Sequence, residues 1–395
     1  MFYGDKLTEL RELNGLSRKD LADKLSVSGQ AVWQYESDKV TPRIDVLHAL
    51  RDLMEVDTSF LFEPNMVTQG VASEGHIAYR ADDRKSRKKT RTELTYLRYA
   101  EAFVDYFEGF LTQEERSIDS LRSMTKQQAD KIQYAGSQRE QNLEIENLAE
   151  VSRNYLGIQS NRDLMYKIEN SGVCVVERNL GQEIDAYSTI SKSGRSYIVL
   201  GTHKKSAVRR NFDIAHELGH LLMHQHQNIE LLTNEEYKEI ELQANRFAGA
   251  FLLPGAEFAR GFATLARKSN PDYYVDLKSQ YLVSIAAMGH RAYDLGLLDY
   301  QEYRYFSGRM NTLHYRKLEP LDDKIVPIRP GKLRALMEFV LKSRLTSVDH
   351  IRSLFHVRPQ FLINLFGIDQ HFFDQFEHEK HSYYGGAKVI RMPGA

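Results

Sequence analysis

His216, Glu217 and His220 form the spacing His-Glu-x-x-His, the pattern in this chain with the clearest chemical meaning. On an α-helix, positions i and i+4 lie on one face, so both imidazole rings can reach the same metal ion. Glu217 is next to the first histidine, where it can take a proton from water that the metal activates. This spacing therefore predicts a zinc site able to hydrolyse a peptide bond.

A catalytic zinc needs a third protein ligand, and two residues compete for that position. His226 falls where the longer pattern H-E-x-x-H-x-x-G-x-x-H has its third histidine, but Met223 replaces the glycine that would turn the chain back to the metal. Glu241 is the stronger candidate because it lies in a helical segment, 239–248. Small residues on its face permit close helix packing: Ala244, Asn245 and Ala248. The plainer interpretation of Glu241 is a solvated helix charge.

The run 209–224 resembles the ImmA/IrrE metallo-endopeptidases, and so does 241–254, which ends Phe-Leu-Leu-Pro. The resemblance covers roughly Asn170 to Arg260, with two motifs in the same order. It implies an α+β, zincin-like peptidase core with a small sheet. It also implies the site residues: His216, His220 and Glu241 as zinc ligands and Glu217 as general base.

Strands and helices must hold this site in place. The β-branched runs 173–177 and 197–200, bounded by Gly and Ser, predict two strands. A helical pattern resumes at Ala207 and carries the His-Glu-x-x-His residues. His224 follows near the expected end of that helix, where the macrodipole favours a histidine that caps the last carbonyls.

A second motif lies near the amino terminus, where 17–36 has the pattern of a helix, a turn and a helix. Ser17 and Ser28 are good N-caps, and Ala22 is small where two helices cross. Residues 5–62 resemble the xenobiotic response element (XRE) family of Cro-like helix-turn-helix domains. This resemblance implies a five-helix domain that inserts the second helix of the motif into the major groove of double-stranded DNA. The residues expected to contact DNA are Arg18, Ser28, Gly29, Gln30 and Gln34.

Local charge bears on that DNA hypothesis. Residues 1–62 contain eight Lys/Arg and eleven Asp/Glu, a net charge of −3, so the domain alone gains little from counterion release. Arg80 to Arg91 contains seven Lys/Arg and two Asp, a net charge of +5, which can assist on the DNA backbone or form an ordinary solvated linker. Homodimerisation would also strengthen binding, and a protein-binding role for the domain stays open.

The whole-chain composition narrows the class of protein. The chain has 395 residues, 42% hydrophobic and 27% charged, with a net charge of −1, which predicts several packed domains. A single cysteine, Cys174, excludes an internal disulfide and thiolate zinc sites. No stretch reaches the roughly 18 apolar residues of a membrane span. We therefore expect a cytoplasmic protein that does not enter a membrane.

These observations predict a mainly α, multidomain chain. The expected segments are a helix-turn-helix domain (1–65), a basic linker (66–91), a helical linker region (92–169), the peptidase core (170–262), a helical continuation (263–320) and a helical C-terminal regulatory domain (321–395). Within the last segment, 347–366 has a weak helix-turn-helix spacing that core packing also explains.

Two functions from different classes fit these segments. The favoured one is a zinc endopeptidase coupled to a DNA-binding domain, which cleaves a protein such as a repressor in a transcriptional, stress or mobile-element response. The alternative is an XRE-type transcription regulator whose peptidase-like domain is a sensor without significant proteolysis. A weaker third hypothesis is an antitoxin-like module whose helix-turn-helix binds a protein partner.

Overall fold

The computed structural model describes residues 1–64, 87–112, 115–182, 184–203, 206–225, 227 and 231–377. In these ranges the chain is mainly α, with one three-stranded sheet, which confirms the predicted fold class. No helix in the described part of the chain is both long and apolar enough to span a bilayer.

The elements of the described residues, in chain order, are α1 (Gly4–Leu13), α2 (Arg18–Leu25), α3 (Gly29–Glu36), α4 (Ile44–Met54), α5 (Arg87–Glu108), α6 (Ser117–Gln133), α7 (Gln138–Tyr155), α8 (Leu164–Asn170), β1 (Cys174–Arg178), β2 (Ala186–Ile190), β3 (Ser196–Gly201), α9 (Ala207–Met223), α10 (Asn234–Leu252), α11 (Gly255–Ala263), α12 (Val275–Tyr281), α13 (Ile285–Asp294), α14 (Tyr300–Thr312), α15 (Lys332–Lys342), α16 (Val348–Phe355), α17 (Pro359–Phe366) and α18 (Asp374–Glu377).

The described residues divide into two compact units. The first consists of residues 1–64, 87–112 and 331–377, which are separated along the sequence, and the second of the described residues from 115 to 330. The first unit therefore combines the amino-terminal helices with α5 and the C-terminal helices. The predicted helical region 92–169 contributes α5 to the first unit and α6 to α8 to the second.

The amino-terminal helices follow the predicted motif. Ser17 caps α2 in a capping box with Asp20, and Ser28 caps α3 by accepting a 3.1 Å hydrogen bond from the backbone N–H of Ala31. Ser26 ends α2 in the left-handed conformation, which turns the chain into α3. The fifth helical element of this domain is a short 3-10 helix, Thr58–Leu61.

The C-terminal helices α16 and α17 repeat the local geometry of α2 and α3. In both pairs each helix has eight residues, and a left-handed residue, Ser26 or His356, follows the first helix. The second helix differs, because α17 is apolar and Phe361 packs against Tyr99 and Phe103 of α5. The segment 347–366 therefore does form a helix, a turn and a helix, but its second helix is buried in the core of the first unit.

A short antiparallel contact within the first unit joins the segments that follow α4 and α16. Val56 pairs with Val357 in an isolated bridge, with backbone hydrogen bonds of 2.8 and 3.0 Å on either side. Asp57 accepts two 2.7 Å hydrogen bonds from the guanidinium of Arg352. The C-terminal helices are thus attached to the helix-turn-helix domain by both backbone and charged contacts.

In the second unit the sheet has the order β1-β3-β2. β1 is parallel to β3, and β2 is antiparallel to β3 at one edge. β1 and β3 are the two strands predicted from the sequence, whereas β2 was not predicted. Helix α9 packs against β2 and β3 on one side and against α10 on the other. Gly219 permits this close packing, since a Cβ there would lie 3.0 Å from the ring of Phe247.

A buried charged network secures the start of α9. Lys278 Nζ, with no exposed surface, donates hydrogen bonds of 2.8 Å to Glu319 and 2.7 Å to Asp322. Glu319 also accepts from two backbone N–H groups at the start of α13. Asp322 accepts a 2.9 Å bond from Ser206, the N-cap residue of α9. Burial acts to raise the pKa of Asp322, but the hydrogen bonds outweigh it and leave that pKa below its usual value.

Candidate metal centre

Helix α9 brings the two motif histidines together as the i, i+4 spacing predicts. His216 Nε2 and His220 Nε2 are 3.0 Å apart. The His220 residue is 6% exposed, and the side chain of His216 is 14% exposed. The pair therefore lies at the edge of the protein interior, where one ring keeps contact with solvent.

Glu241 extends from α10 towards both rings. Its carboxylate oxygens lie 3.6 Å from His216 Nε2 and 3.4 Å from His220 Nε2. Ligands of a tetrahedral zinc with bonds of about 2.0–2.1 Å are separated by about 3.3 Å. The two histidine nitrogens are 3.0 Å apart, and each has one of the two Glu241 oxygens within 3.6 Å, so the donor set and its spacing fit a zinc ion.

The charges around this group favour a cation. Burial acts to raise the pKa of Glu241, but the hydrogen bond with His220 and the nearby His216 outweigh it and hold the pKa at about 2. Tyr237, one turn earlier on α10, also donates a hydrogen bond to this carboxylate. Burial acts to lower the pKa of His220, but Glu241 and Glu217 raise it overall. A metal at this position requires the lone pair of His220 Nε2 to be free of a proton.

Glu217 lies behind the histidines, against the sheet. The residue is 5% exposed, and its Oε2 accepts a 2.7 Å hydrogen bond from the hydroxyl of Ser188 on β2. Burial raises the pKa of Glu217 to about 7, against the lowering effects of His220 and Ser188. A carboxyl group with that pKa can both accept and release a proton near neutral pH.

Both histidines of the motif have hydrogen-bond partners on the ring nitrogen that faces away from the cluster. His216 Nδ1 lies 3.0 Å from Asn245 Oδ1, which can only accept a hydrogen bond. His220 Nδ1 lies 2.9 Å from Nδ1 of His224, whose Nε2 is in turn 2.8 Å from Gln243 Oε1. Outer contacts of this kind orient metal-binding histidines in proteins.

His216, Glu217, His220 and Glu241 were candidates from the sequence, whereas the roles of the partners around them were not predicted. Ser188, Asn245 and Gln243 come from a strand and a helix that only the tertiary fold brings near α9. His224 carried a signal, since it continues the i, i+4 spacing of His216 and His220 on one helix face. The competing ligand candidate, His226, lies outside the described residues.

A cleft of about 410 Å³ is lined in part by Asn245 and Gln243, the hydrogen-bond partners of His216 and His224, whereas His216, His220 and Glu241 are not among its lining residues. Its walls come from α7, α10 and α13, with Phe212 of α9 and Asn245 of α10 on the side towards His216. The lining includes the polar side chains of Gln138, Gln141, Asn142 and Asn245.

Of the predicted DNA-contact residues, Arg18 begins α2, Ser28 to Gln30 lie at the start of α3, and Gln34 lies in the second half of α3. Gly29 and Gln30 are exposed, Gln34 is partly exposed, and the hydroxyl of Ser28 is engaged in capping α3. Arg18 is paired with Glu36, a buried carboxylate that also binds Arg11. The side chain of Arg18 remains 52% exposed despite this pair.

Trp33 lies beside this helix face. Its ring is in contact with the ammonium group of Lys39, 4.0 Å from the ring centroid, and the residue is 37% exposed. This cation–π contact holds one face of the indole within the domain.

Comparison with protein families gives matches for two segments of the chain. Residues 168–293, from α8 to α13, match the family model described as the IrrE N-terminal-like domain, peptidase M78. Residues 168–293 are therefore similar to a peptidase M78 domain. Residues 3–59 match a helix-turn-helix domain. Comparison with curated proteins gives no significant match.

The two matches confirm the resemblance that the motifs indicate. The peptidase M78 domain contains His216, Glu217, His220 and Glu241, and the helix-turn-helix match contains α1 to α4. Together they identify a peptidase-like, DNA-binding regulator.

Proposed function

We propose that this chain is a zinc-dependent endopeptidase coupled to a DNA-binding helix-turn-helix domain. The observation that carries the proposal is the convergence of His216 Nε2, His220 Nε2 and a Glu241 oxygen, with ligand atoms all within 4.8 Å of one another. A His₂Glu set leaves one tetrahedral position for substrate or water, which is typical of catalytic rather than structural zinc.

The residues of the site then take distinct roles. His216, His220 and Glu241 would hold the zinc, which supplies polarisation of a peptide carbonyl and activation of water near neutral pH. Glu217 would accept a proton from the attacking water at Oε1, while the hydrogen bond from Ser188 holds Oε2 in place. Its pKa of about 7 suits it to return that proton to the leaving amine.

In this proposal the helix-turn-helix domain binds the peptidase to specific sites on DNA. Gln30 and Gln34 would read bases in the major groove of double-stranded DNA, with Arg18, Ser28 and Gly29 near the backbone. The substrate would be a protein that acts at the same promoter, such as a repressor, in a transcriptional, stress or mobile-element response. A homodimer would compensate for the net charge of −3 on residues 1–62 by doubling the contacts with DNA.

One observation favours a second function, a transcription regulator whose peptidase-like domain is a sensor. Glu217 is 5% exposed and hydrogen-bonded, so the general base is withdrawn from bulk solvent. In that case the site would bind zinc without turning over a substrate. Zinc content alone does not separate the two functions, whereas cleavage does.

Metal analysis of the purified full chain tests the metal site. We expect about one zinc per chain in the parent and a loss of most of it in Glu241→Gln, because the amide cannot replace an anionic ligand. Glu235→Gln removes the same charge from the exposed start of α10 and serves as the matched control. Absence of zinc from the parent, or full zinc content in Glu241→Gln, would contradict the proposed site.

A further inference from the structure

A chain of polar contacts leads from His220 away from the metal cluster. His220 Nδ1 is 2.9 Å from His224 Nδ1, and His224 Nε2 is 2.8 Å from Gln243 Oε1. Gln243 Nε2 donates a 3.2 Å hydrogen bond to Glu239 Oε1. His224 is 5% exposed and Gln243 is 7% exposed, so water competes little for these contacts. The contacts link α9 to α10 on the inner side of His220.

Glu239 determines which group is the donor and which is the acceptor in each of these hydrogen bonds. An ionised carboxylate only accepts hydrogen bonds, so the NH₂ group of Gln243 must face Glu239 and its carbonyl oxygen must face His224. The carbonyl oxygen in turn requires a proton on His224 Nε2. A neutral His224 then has its lone pair on Nδ1, where it accepts the proton of His220 Nδ1.

The consequence for His220 is a defined tautomer. With its Nδ1 proton donated to His224, neutral His220 presents the Nε2 lone pair to His216 and Glu241. The reverse arrangement would turn Gln243 Oε1 towards the Glu239 carboxylate, where two acceptors repel each other. It would also place the proton on His220 Nε2, the atom that must bind the metal.

We propose that His224 and Gln243 are positioning residues that select the metal-binding tautomer of His220, with Glu239 setting the sense of the contacts. This inference rests on the proposed metal site and goes beyond its three ligands. Asn245 serves His216 in the same way, since its Oδ1 is 3.0 Å from His216 Nδ1. Each histidine ligand therefore has its own orienting partner from α10, directly for His216 and through His224 for His220.

The test is the affinity of the metal-free full chain for Zn²⁺, measured by competition with a coloured chelator. His224→Leu removes the acceptor for His220, and we expect it to weaken zinc binding by about 10- to 100-fold. His224→Asn places an amide oxygen near the position of Nδ1 and should restore most of that affinity. The absorption spectrum of bound Co²⁺ should change in the Leu variant and return towards the parent in the Asn variant. Far-UV circular dichroism of the metal-free proteins checks that each variant is folded.

Single and double variants test the two residues of this hydrogen-bond series that lie furthest from the metal site, Gln243 and Glu239. Gln243→Leu should also weaken zinc binding, and the double variant His224→Leu/Gln243→Leu should lose little more than His224→Leu, because the residues act in series. Glu239→Gln replaces the acceptor by a group that can also donate, so it should weaken binding more than the control Glu235→Gln.

Each outcome of these titrations has a distinct meaning. A parent chain that binds no Zn²⁺ would overturn the proposed metal site and this inference with it. A parent that binds zinc, beside a folded His224→Leu variant of equal affinity, would overturn the inference alone. Additive losses in the double variant, or no rescue by His224→Asn, would also contradict the series of contacts.

Discussion

Ser188 donates a 2.7 Å hydrogen bond to Oε2 of Glu217, so an edge strand of the sheet holds the carboxylate that follows the first histidine of the motif. The same hydroxyl lies 3.2 Å from the backbone oxygen of Glu217. These contacts link β2 to α9 at the proposed general base. They also distinguish Glu217 from Glu241, which faces the histidines from another helix.

Replacement of Ser188 tests this link. Ser188→Ala leaves the carboxylate without its buried donor, and we expect peptide cleavage to slow by about 10-fold at full zinc content, in the range of a misplaced proton-transfer group. Ser188→Thr keeps the hydroxyl and should retain most of the rate. Kinetics at saturating substrate together with metal analysis give the answer, and an unchanged rate in Ser188→Ala would remove Ser188 from the mechanism.

The pair Asp57–Arg352 should contribute to the stability of the first unit in a pH-dependent way. Two hydrogen bonds from Arg352 lower the pKa of Asp57, with burial opposing and Arg358 and His356 adding to the effect. A carboxylate with a lowered folded-state pKa stabilises above its unfolded pKa of about 4, and the gain is lost as the pH falls through the folded-state pKa. Because Arg352 is 49% exposed, screening limits the expected loss in Asp57→Asn to about 1 kcal/mol at pH 7.

Urea unfolding followed by the fluorescence of Trp33 measures this contribution. Trp33 is the only tryptophan of the chain and lies in the first unit, so its signal reports on that unit. Asp23→Asn, an exposed carboxylate on α2, is the control. The difference between parent and Asp57→Asn should shrink below about pH 4. A difference that stays constant from pH 7 to pH 3 would show that the ionised pair is not its source.

Base reading by α3 is tested with the double variant Gln30→Ala/Gln34→Ala. Each bidentate amide contact to adenine contributes about 1–3 kcal/mol of discrimination, so sequence-specific binding should fall by at least about 10-fold. Nonspecific binding should persist, because it depends on phosphate contacts. Binding titrations on specific and scrambled duplexes at one salt concentration separate the two. Specific binding that survives both changes would place the reading surface elsewhere.

The central residues were predictable because their spacing is local. His216, Glu217 and His220 lie on one helix turn, and the small residues after Glu241 indicated a packed helix face. The residues that share one face of a single helix follow from sequence spacing alone. The helices α9 and α10 could therefore be predicted together with the faces that carry the histidines and Glu241. The strands β1 and β3 were predictable because their β-branched runs are distinct.

The missing parts depend on contacts between distant segments. Ser188 lies in the run Ala-Tyr-Ser-Thr-Ile, whose polar residues weaken the hydrophobic pattern from which a strand is predicted. Its contact with Glu217 forms only when β2 packs on α9. The packing of Phe361 on α5 joins residues more than 250 positions apart. No local pattern encodes such a pairing, so the joining of the C-terminal helices to the first unit had to come from the structure.

The most direct test of the account is peptide cleavage by the zinc-loaded parent beside Glu217→Gln. The amide keeps the size of Glu217 and its bond with Ser188 but cannot accept the proton, so both proteins should hold about one zinc per chain. We expect the parent to cleave a protein substrate, and the rate of cleavage to fall by at least about 100-fold in the variant. Undiminished cleavage by zinc-loaded Glu217→Gln would contradict the account.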